Sequence, residues 1–230
     1  SEMSENELKV GLIHSKYPVW RRRELEKEWI EMLGKDGERP EGCILVGTQV
    51  VEQSVDIDSD YLITEIAPTD MLFQRLGRLW RHERKRLHPN AECTIVCENL
   101  ERAETKESLF DLIGRANSRV YAPYVIWISW KVWKEKSFVL LPDDIRKMLE
   151  MTYEERQGEP EFVVKLKEEF EKRCRLLRKY ALCAVLQGEL PELLDREDIA
   201  TRYSDYPLTD CILAKSVDAI GGKAEICLLD

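Results

Sequence analysis

The chain reads as an α/β protein. It is expected to build a parallel sheet with helices on both faces, then a mainly helical stretch and a short β hairpin. Three observations predict this. Short apolar runs, β-branched in part, recur at residues 8–13, 43–46, 61–66 and 93–97. Helical patterns separate the first run from the second and the third from the fourth, and strand–helix alternation is the mark of a parallel sheet. The run Cys43-Ile44-Leu45-Val46 leads into a loop dense in polar side chains, and open parallel sheets bind ligands at the carboxyl ends of their strands.

Residues 8–13 give the first strand. Pro18 then opens a helix whose apolar residues Val19, Leu25, Trp29, Ile30 and Leu33 form a stripe, with Gly34 and Gly37 at its end. Strands follow at 43–46 and 61–66. Thr69 or Asp70 would cap the next helix, and residues 93–97 give a further strand.

Beyond residue 100 the pattern becomes helical. Residues 104–114 and 143–151 read as short helices and 160–186 as a long amphipathic one, with Phe162, Leu166, Phe170, Leu177, Leu182 and Leu186 facing inward. Residues 124–133 carry Trp127, Trp130 and Trp133 in three-residue steps. Such a stripe reads first as packing beside Val125, Ile126 and Val132, although aromatics also stack single-stranded bases. The tail runs 211–213 and 226–229 read as the two strands of a small hairpin.

The 230 residues leave room for one domain with a proper core plus an appendage, or for two small domains. No apolar run approaches the roughly 20 residues of a membrane span. The sequence opens with no charged and then apolar leader, so export is not expected. Seven cysteines without a CxxC pair and only three histidines speak against zinc. No metal site is expected. Cys93 and Cys97 read as small core residues, in keeping with a reduced cytoplasmic setting.

A net charge of −9 is no simple guide to partners, because its distribution is uneven. Residues 75–88 hold six cations and one acid, whereas residues 52–65 hold five acids and no base. Opposite fields side by side suit a site that orients a phosphate chain at one end and sugar hydroxyls at the other. A salt-bridged surface is equally compatible. Within the basic stretch, Arg75, Arg78 and Arg81 recur every third residue, with Gln74 before them and Gly77 among them. On a helix that spacing keeps them on one broad face, where three guanidiniums call for an opposing anion such as a polyphosphate.

Thr48-Gln49-Val50-Val51-Glu52-Gln53-Ser54-Val55-Asp56-Ile57-Asp58 resembles motif V of superfamily 2 helicases, and Gln74-Arg75-Leu76-Gly77-Arg78-Leu79-Trp80-Arg81 resembles motif VI. With Ala67-Pro68-Thr69-Asp70 between them, the wording is similar to the CRISPR-associated helicase–nuclease family of type I systems. Leu12-Ile13-His14-Ser15-Lys16-Tyr17 resembles that family's motif IV, with Lys-Tyr where Arg-Phe is usual. Residues 141–146 with Thr152-Tyr153 resemble the linker after its motor, and Ala200-Thr201-Arg202 resembles the start of its C-terminal domain. The likeness is close over residues 12–96 and looser to about 213.

The resemblance implies a second RecA-like helicase domain over residues 1–135, a helical linker over 136–190 and the start of an accessory domain over 191–230. Family members carry a strand and helix before motif IV, so the sheet is expected to be incomplete at its N-terminus, with a partner chain or a preceding segment supplying what is missing. Arg78 and Arg81 match the arginines that reach the γ-phosphate of ATP. Gln74 and Arg75 match residues lining the interdomain cleft, and Asp56 the acid that meets the ribose. Thr48, Gln53, His14 and Ser15 match positions at the nucleic-acid backbone. The chain has no G-x-x-x-x-G-K-[ST] loop and no Asp-Glu-x-His strand end. Magnesium would therefore be held mainly by a first RecA-like domain, in the same or another chain, and this chain alone is expected to be inactive. Single-stranded DNA and a guide-RNA surveillance complex are the implied partners, and the prokaryotic cytoplasm the implied place. Two other readings stay open: a repair or branch-migration motor of the same superfamily, and an interaction module that kept the fold without the chemistry.

Overall fold

The computed structural model describes residues 8–40, 42–48, 51, 56–86, 89–187, 214–220 and 223–228. The chain divides into two compact units, residues 1–170 and 171–230.

The first unit begins with strand β1 (Lys9–Ile13), helix α1 (Val19–Leu33) and strand β2 (Cys43–Gly47). β1 and β2 pair in parallel, Gly11 opposite Leu45 and Ile13 opposite Gly47. Side chains alternate across a strand. One face of the pair therefore presents Gly11, Ile13, Cys43 and Leu45, and α1 lies on it. Ile13, Trp29, Leu33 and Ile57 form the buried cluster there, with Leu25, Cys43, Leu45 and Val51 packed around it. Of the helical stripe read from the sequence, Trp29 and Leu33 are buried and Leu25 and Ile30 pack beside them, whereas Val19 is exposed. The opposite face carries Val10, Leu12, Ile44 and Val46, all exposed.

Strands β3 (Tyr61–Glu65) and β4 (Glu92–Val96) form a second parallel pair, separated by helix α2 (Thr69–Leu76). Tyr61 and Ile63 of β3 and Val96 of β4 are likewise exposed. All four strands are where the sequence placed them and both pairs are parallel. They do not join into one sheet: β2 and β3 are not hydrogen bonded to each other. Their starts nevertheless lie close, since Arg39 Nη1, just before β2, donates to Asp60 Oδ2 at 2.6 Å, just before β3. Among the described residues, each pair thus keeps both outer edges unpaired and one apolar face exposed.

The helical layer is built around α5 (Pro123–Trp133), flanked by α3 (Lys106–Ile113), α4 (Asn117–Val120) and α6 (Asp143–Tyr153). All but one of the eleven α5 residues are buried, the pattern of a helix that is apolar all round. Trp127, Trp130 and Trp133 are among them, at 2%, 7% and 8% exposure, so the stripe is packing and offers no surface to a base. The start of α2 is fastened here. The sequence placed a cap at Thr69 or Asp70, but the helix begins at Thr69 after Pro68, with no side-chain cap of its own. Instead the Thr69 amide donates to Ser129 Oγ of α5 at 3.1 Å, and Trp133 Nε1 donates to Thr69 Oγ1 at 3.1 Å. The Thr69 hydroxyl also bonds that of Thr152 in α6 at 2.8 Å. A tertiary contact does the work of a local cap, which no local pattern announces.

Helix α7 runs Glu161–Gln187. In the second unit, β5 (Ala214–Ile220) and β6 (Lys223–Leu228) form an antiparallel hairpin. The hairpin is the expected one, but its first strand is 214–220; the run at 211–213 lies outside the described residues. The alternation of Lys215, Val217 and Ala219 with Ser216, Asp218 and Ile220 is too mixed to stand out as an apolar run. Among the described residues, no helix is long and apolar enough to cross a membrane.

Candidate functional site

Two places emerge from the fold. The first is the carboxyl end of the β1–β2 pair. Ile13 and Gly47 are opposite each other, so His14, Ser15 and Thr48, one or two residues on, are gathered at one edge. The Thr48 amide donates to the Ile13 carbonyl at 3.1 Å, closing that edge. His14 is held in place: its ring stacks on Tyr17 at 4.0 Å, and its Nδ1 accepts from the Lys16 amide at 3.0 Å. The Lys-Tyr variation therefore keeps an aromatic partner for the histidine. Ser15 and Thr48 are exposed. Gln53 and Ser54 fall outside the described residues.

The second place is where the segment after α2 meets the segment before β3. The sequence put Arg75, Arg78 and Arg81 on one helical face. The structure does not: α2 ends at Leu76, Gly77 is its C-cap, and only Arg75 is helical. Gln74 is exposed in the last turn. Arg75 turns towards the end of β3, donating from Nη1 to Thr64 Oγ1 at 2.6 Å and to the Glu65 carbonyl at 3.1 Å, and from Nη2 to Tyr121 Oη at 3.0 Å. Arg75 thus braces the strand end and stands apart from the other two. Glycine at residue 77 is a poor helix former, and the bonds described next draw the chain away from helical geometry.

Arg78 and Arg81 stay together beside Asp56. Arg81 Nε donates to Asp56 Oδ1 at 2.5 Å, and His82 Nε2 lies 3.2 Å from the same oxygen. Burial pushes the Asp56 pKa up, but the hydrogen bond and charge of Arg81, with His82, outweigh it and hold the carboxyl below its ordinary range. Arg78 is half-buried, and its pKa is lowered chiefly by burial and then by the positive charge of Arg81, with Asp56 acting the other way.

Beneath them is a cluster that sequence reasoning missed. Asp58 is fully buried and accepts from the Arg81 amide at 2.8 Å and from Arg86 Nη2 at 2.9 Å. Arg39 Nη2 and Arg84 Nε lie 2.9 and 3.4 Å from its other oxygen. Asp60 takes Arg39 and Arg86 at 2.6 and 2.7 Å. A buried carboxylate is tolerated only with such partners. The signal was present as the acid-rich 52–65 facing the base-rich 75–88. Much of that opposition is spent on internal ion pairs, as the salt-bridge reading of the same charges allows. Arg39 lies outside both stretches and carried no signal.

Comparison with known proteins supports the family resemblance. The family "CRISPR-associated nuclease/helicase Cas3, C-terminal" matches residues 1–84. A Thermus thermophilus protein named "CRISPR-associated endonuclease/helicase Cas3" is 35% identical over 170 residues, covering 74% of this chain and 18% of the relative. An Escherichia coli protein of the same name is 37% identical over 174 residues, covering 74% of this chain and 19% of the relative. Over about three quarters of its length the chain is similar to Cas3 proteins. It resembles the family's C-terminal helicase region and spans about a fifth of the length of the relatives it matches. Among solved structures, T. fusca Cas3 with ADP superposes with a TM-score of 0.62 at 26% identity, over 77% of this chain and 20% of that one. A chain of a "CRISPR RNA-guided surveillance complex, pre-nicking" superposes at 0.59 with 26% identity, over 73% of this chain and 20% of that one. T. fusca Cas3 has also been solved with ATP and with AMPPNP. Cas3 relatives are helicase–nucleases by name, which gives this region a helicase context within CRISPR systems.

Proposed function

We propose that the chain is the second motor half of an ATP-driven translocase that moves along single-stranded DNA in CRISPR interference. On this reading residues 1–135 form the second RecA-like domain, 136–190 the linker, and 191–230 the start of the accessory domain. Arg78 and Arg81 act as arginine fingers on the γ-phosphate of an ATP held mainly by a partner domain. Asp56 meets the ribose, and Gln74 and Arg75 line the cleft behind them. His14, Ser15, Thr48 and Gln53 grip the DNA backbone at the carboxyl end of β1–β2. The observation that carries the reading is the ion pair of Arg81 with Asp56, with the Arg78 guanidinium close enough to feel both charges. Two cations and an acceptor within reach of one another fit a triphosphate and its sugar.

ATP supplies the free energy that closes the two halves, and its hydrolysis releases them. The residues of this chain place positive charge where charge develops on the transferred phosphoryl group, and arginine fingers are worth roughly 10³–10⁵ in rate. Among the described residues, no group of three His, Cys, Asp or Glu is placed to hold a metal ion. On this reading magnesium is held mainly by the partner half, because the chain carries no G-x-x-x-x-G-K-[ST] loop. The partners are that half, single-stranded DNA and a guide-RNA surveillance complex of the kind one structural relative belongs to, working in the prokaryotic cytoplasm.

The Arg81–Asp56 bond also supports a second reading, in which the arginines are purely structural and the chain is a non-catalytic module. One experiment separates them. ATP hydrolysis with and without single-stranded DNA is measured for the chain alone, for the chain with a Walker-loop half, and for that mixture carrying Arg81→Ala. Activity only in the mixture, abolished by Arg81→Ala with DNA binding retained, supports the motor. Full hydrolysis in the variant removes the finger assignment.

A further inference from the structure

The segment that carries Arg78 and Arg81 is not a helix, yet it is held on both sides. The Ser59 amide donates to the Arg78 carbonyl at 2.8 Å and the Trp80 amide to the Ser59 carbonyl at 3.0 Å. Ser59 Oγ donates to the Arg78 carbonyl as well, at 3.0 Å. Together these make a one-residue parallel bridge between Ser59 and Leu79. Trp80, between the two arginines, has φ of 51°. Bulky side chains rarely adopt that left-handed conformation, and it persists only where the surroundings over-determine it.

The surroundings of Trp80 do so. Its Nε1 donates to the Asp60 carbonyl at 3.1 Å, and the Arg86 guanidinium lies 5.3 Å over its ring. Arg86 is itself immobilised by Asp58 and Asp60, at 2.9 and 2.7 Å, and these acids are bridged a second time by Arg39. A turn needed only for chain reversal would be met without strain by glycine. Here a large aromatic is held in it by an ion-pair clamp, and the residue that follows is Arg81, whose amide is fixed on Asp58.

We infer that Trp80, clamped by Arg86 onto Asp58 and Asp60, is a positioning residue that sets the angle at which Arg78 and Arg81 leave the chain. The inference rests on the motor reading above. It adds that this chain alone fixes the backbone from which the two fingers leave, before any nucleotide arrives.

The test uses Trp80→Gly, Trp80→Phe and Arg86→Gln. Trp80→Gly keeps the left-handed backbone accessible and removes the clamped ring. Trp80→Phe keeps the ring and loses the Nε1 donor. Arg86→Gln removes the clamp and leaves Asp58 with Arg39 and Arg84. In the motor assembled with a Walker-loop half, Trp80→Gly and Arg86→Gln are expected to lower kcat at least tenfold, with KM for ATP and Kd for single-stranded DNA within twofold of the parent. Trp80→Phe should recover much of the loss. In the chain alone, amide hydrogen exchange at Ser59, Trp80 and Arg81 should quicken tenfold or more in Arg86→Gln. Unchanged exchange overturns the inference whatever the motor does. So does a kcat within twofold of the parent, or a loss that tracks the fraction of unfolded protein. An inactive parent assembly instead overturns the motor reading, and the exchange result still decides whether the clamp holds the turn.

Discussion

Arg81 Nε donates to Asp56 Oδ1 at 2.5 Å, and Arg81 Nη1 reaches back to the Gly77 carbonyl at 3.2 Å. The acid assigned to the ribose and the arginine assigned to the phosphate therefore hold each other in this structure. Either must exchange that partner for nucleotide. On the motor reading, Asp56→Asn weakens the hold on the sugar more than it gains from freeing Arg81. In the assembled motor, KM for ATP should rise about tenfold, equivalent to roughly 1.4 kcal/mol of binding. Steady-state ATPase titrations check it, and an unchanged or lower KM refutes the ribose role.

Acid should loosen the same region. Asp60, like Asp56, has a lowered pKa: burial raises it, but the hydrogen bond from Arg86 and the charges of Arg39 and Arg86 outweigh that. A carboxyl whose folded pKa lies below its unfolded value of about 3.9 binds protons less readily when folded. Its contribution to stability is complete above that value and is lost as pH falls through the lowered folded pKa. Melting temperatures recorded from pH 6 to pH 2 should therefore decline mainly below about pH 4. Asp60→Asn should flatten that decline, and a curve of unchanged shape would count against the pairing.

Packing at α1 sets a steric prediction. A Cβ on Gly11 would lie 2.2 Å from Trp29 Cζ2, so the indole is seated directly on the β1 backbone. Gly11→Ala forces the ring away and should cost about 1–3 kcal/mol. Trp29→Ala, which empties the site, should cost about 3–5 kcal/mol. Urea unfolding measures both, and the double variant should cost less than the sum because the two residues share one contact.

The exposed sheet faces should make the chain self-associate. Val10, Leu12, Ile44 and Val46 share one exposed face, and among the described residues β2 and β3 each have an unpaired edge. Exposed apolar strands of this kind promote association. The isolated chain should show concentration-dependent self-association by sedimentation or light scattering, and Ile44→Lys with Val46→Lys should reduce it. Equal association in that variant would place the contact elsewhere.

The thiols of Cys93 and Cys97 should be slow to react. Burial pushes both pKa values up to about 11. At pH 8 only about one in a thousand of each is thiolate, against roughly a quarter for a free cysteine. Peptide mapping after a short iodoacetamide pulse should find both sites nearly unmodified in the folded chain and fully modified in urea.

Strand and helix positions in the first 100 residues were legible because each buries one face, and burial writes its period into the sequence. Ile13, Trp29 and Leu33 lie in the core for that reason. The motif wording around Thr48 and Arg78 was legible through resemblance. The course of the arginine segment was not. Its three-residue spacing is helical in pattern, but Ser59, Asp58 and Asp60 capture its backbone and side chains from 19 or more residues away. Arg39 gave no hint at all, since a single arginine before a strand looks like any solvated charge.

By itself the sequence determined which residues form β1 to β4 and α1 and which family the chain resembles. Apolar periodicity and a compact motif are local properties, readable over a dozen positions. Only the tertiary structure decided that the strands gather as two separate parallel pairs, that Arg75 braces β3 while Arg78 and Arg81 face Asp56, and that the tryptophan stripe is buried. Those outcomes depend on which distant groups can satisfy a buried charge or an unpaired backbone amide. That competition is settled in three dimensions, between residues far apart in the chain.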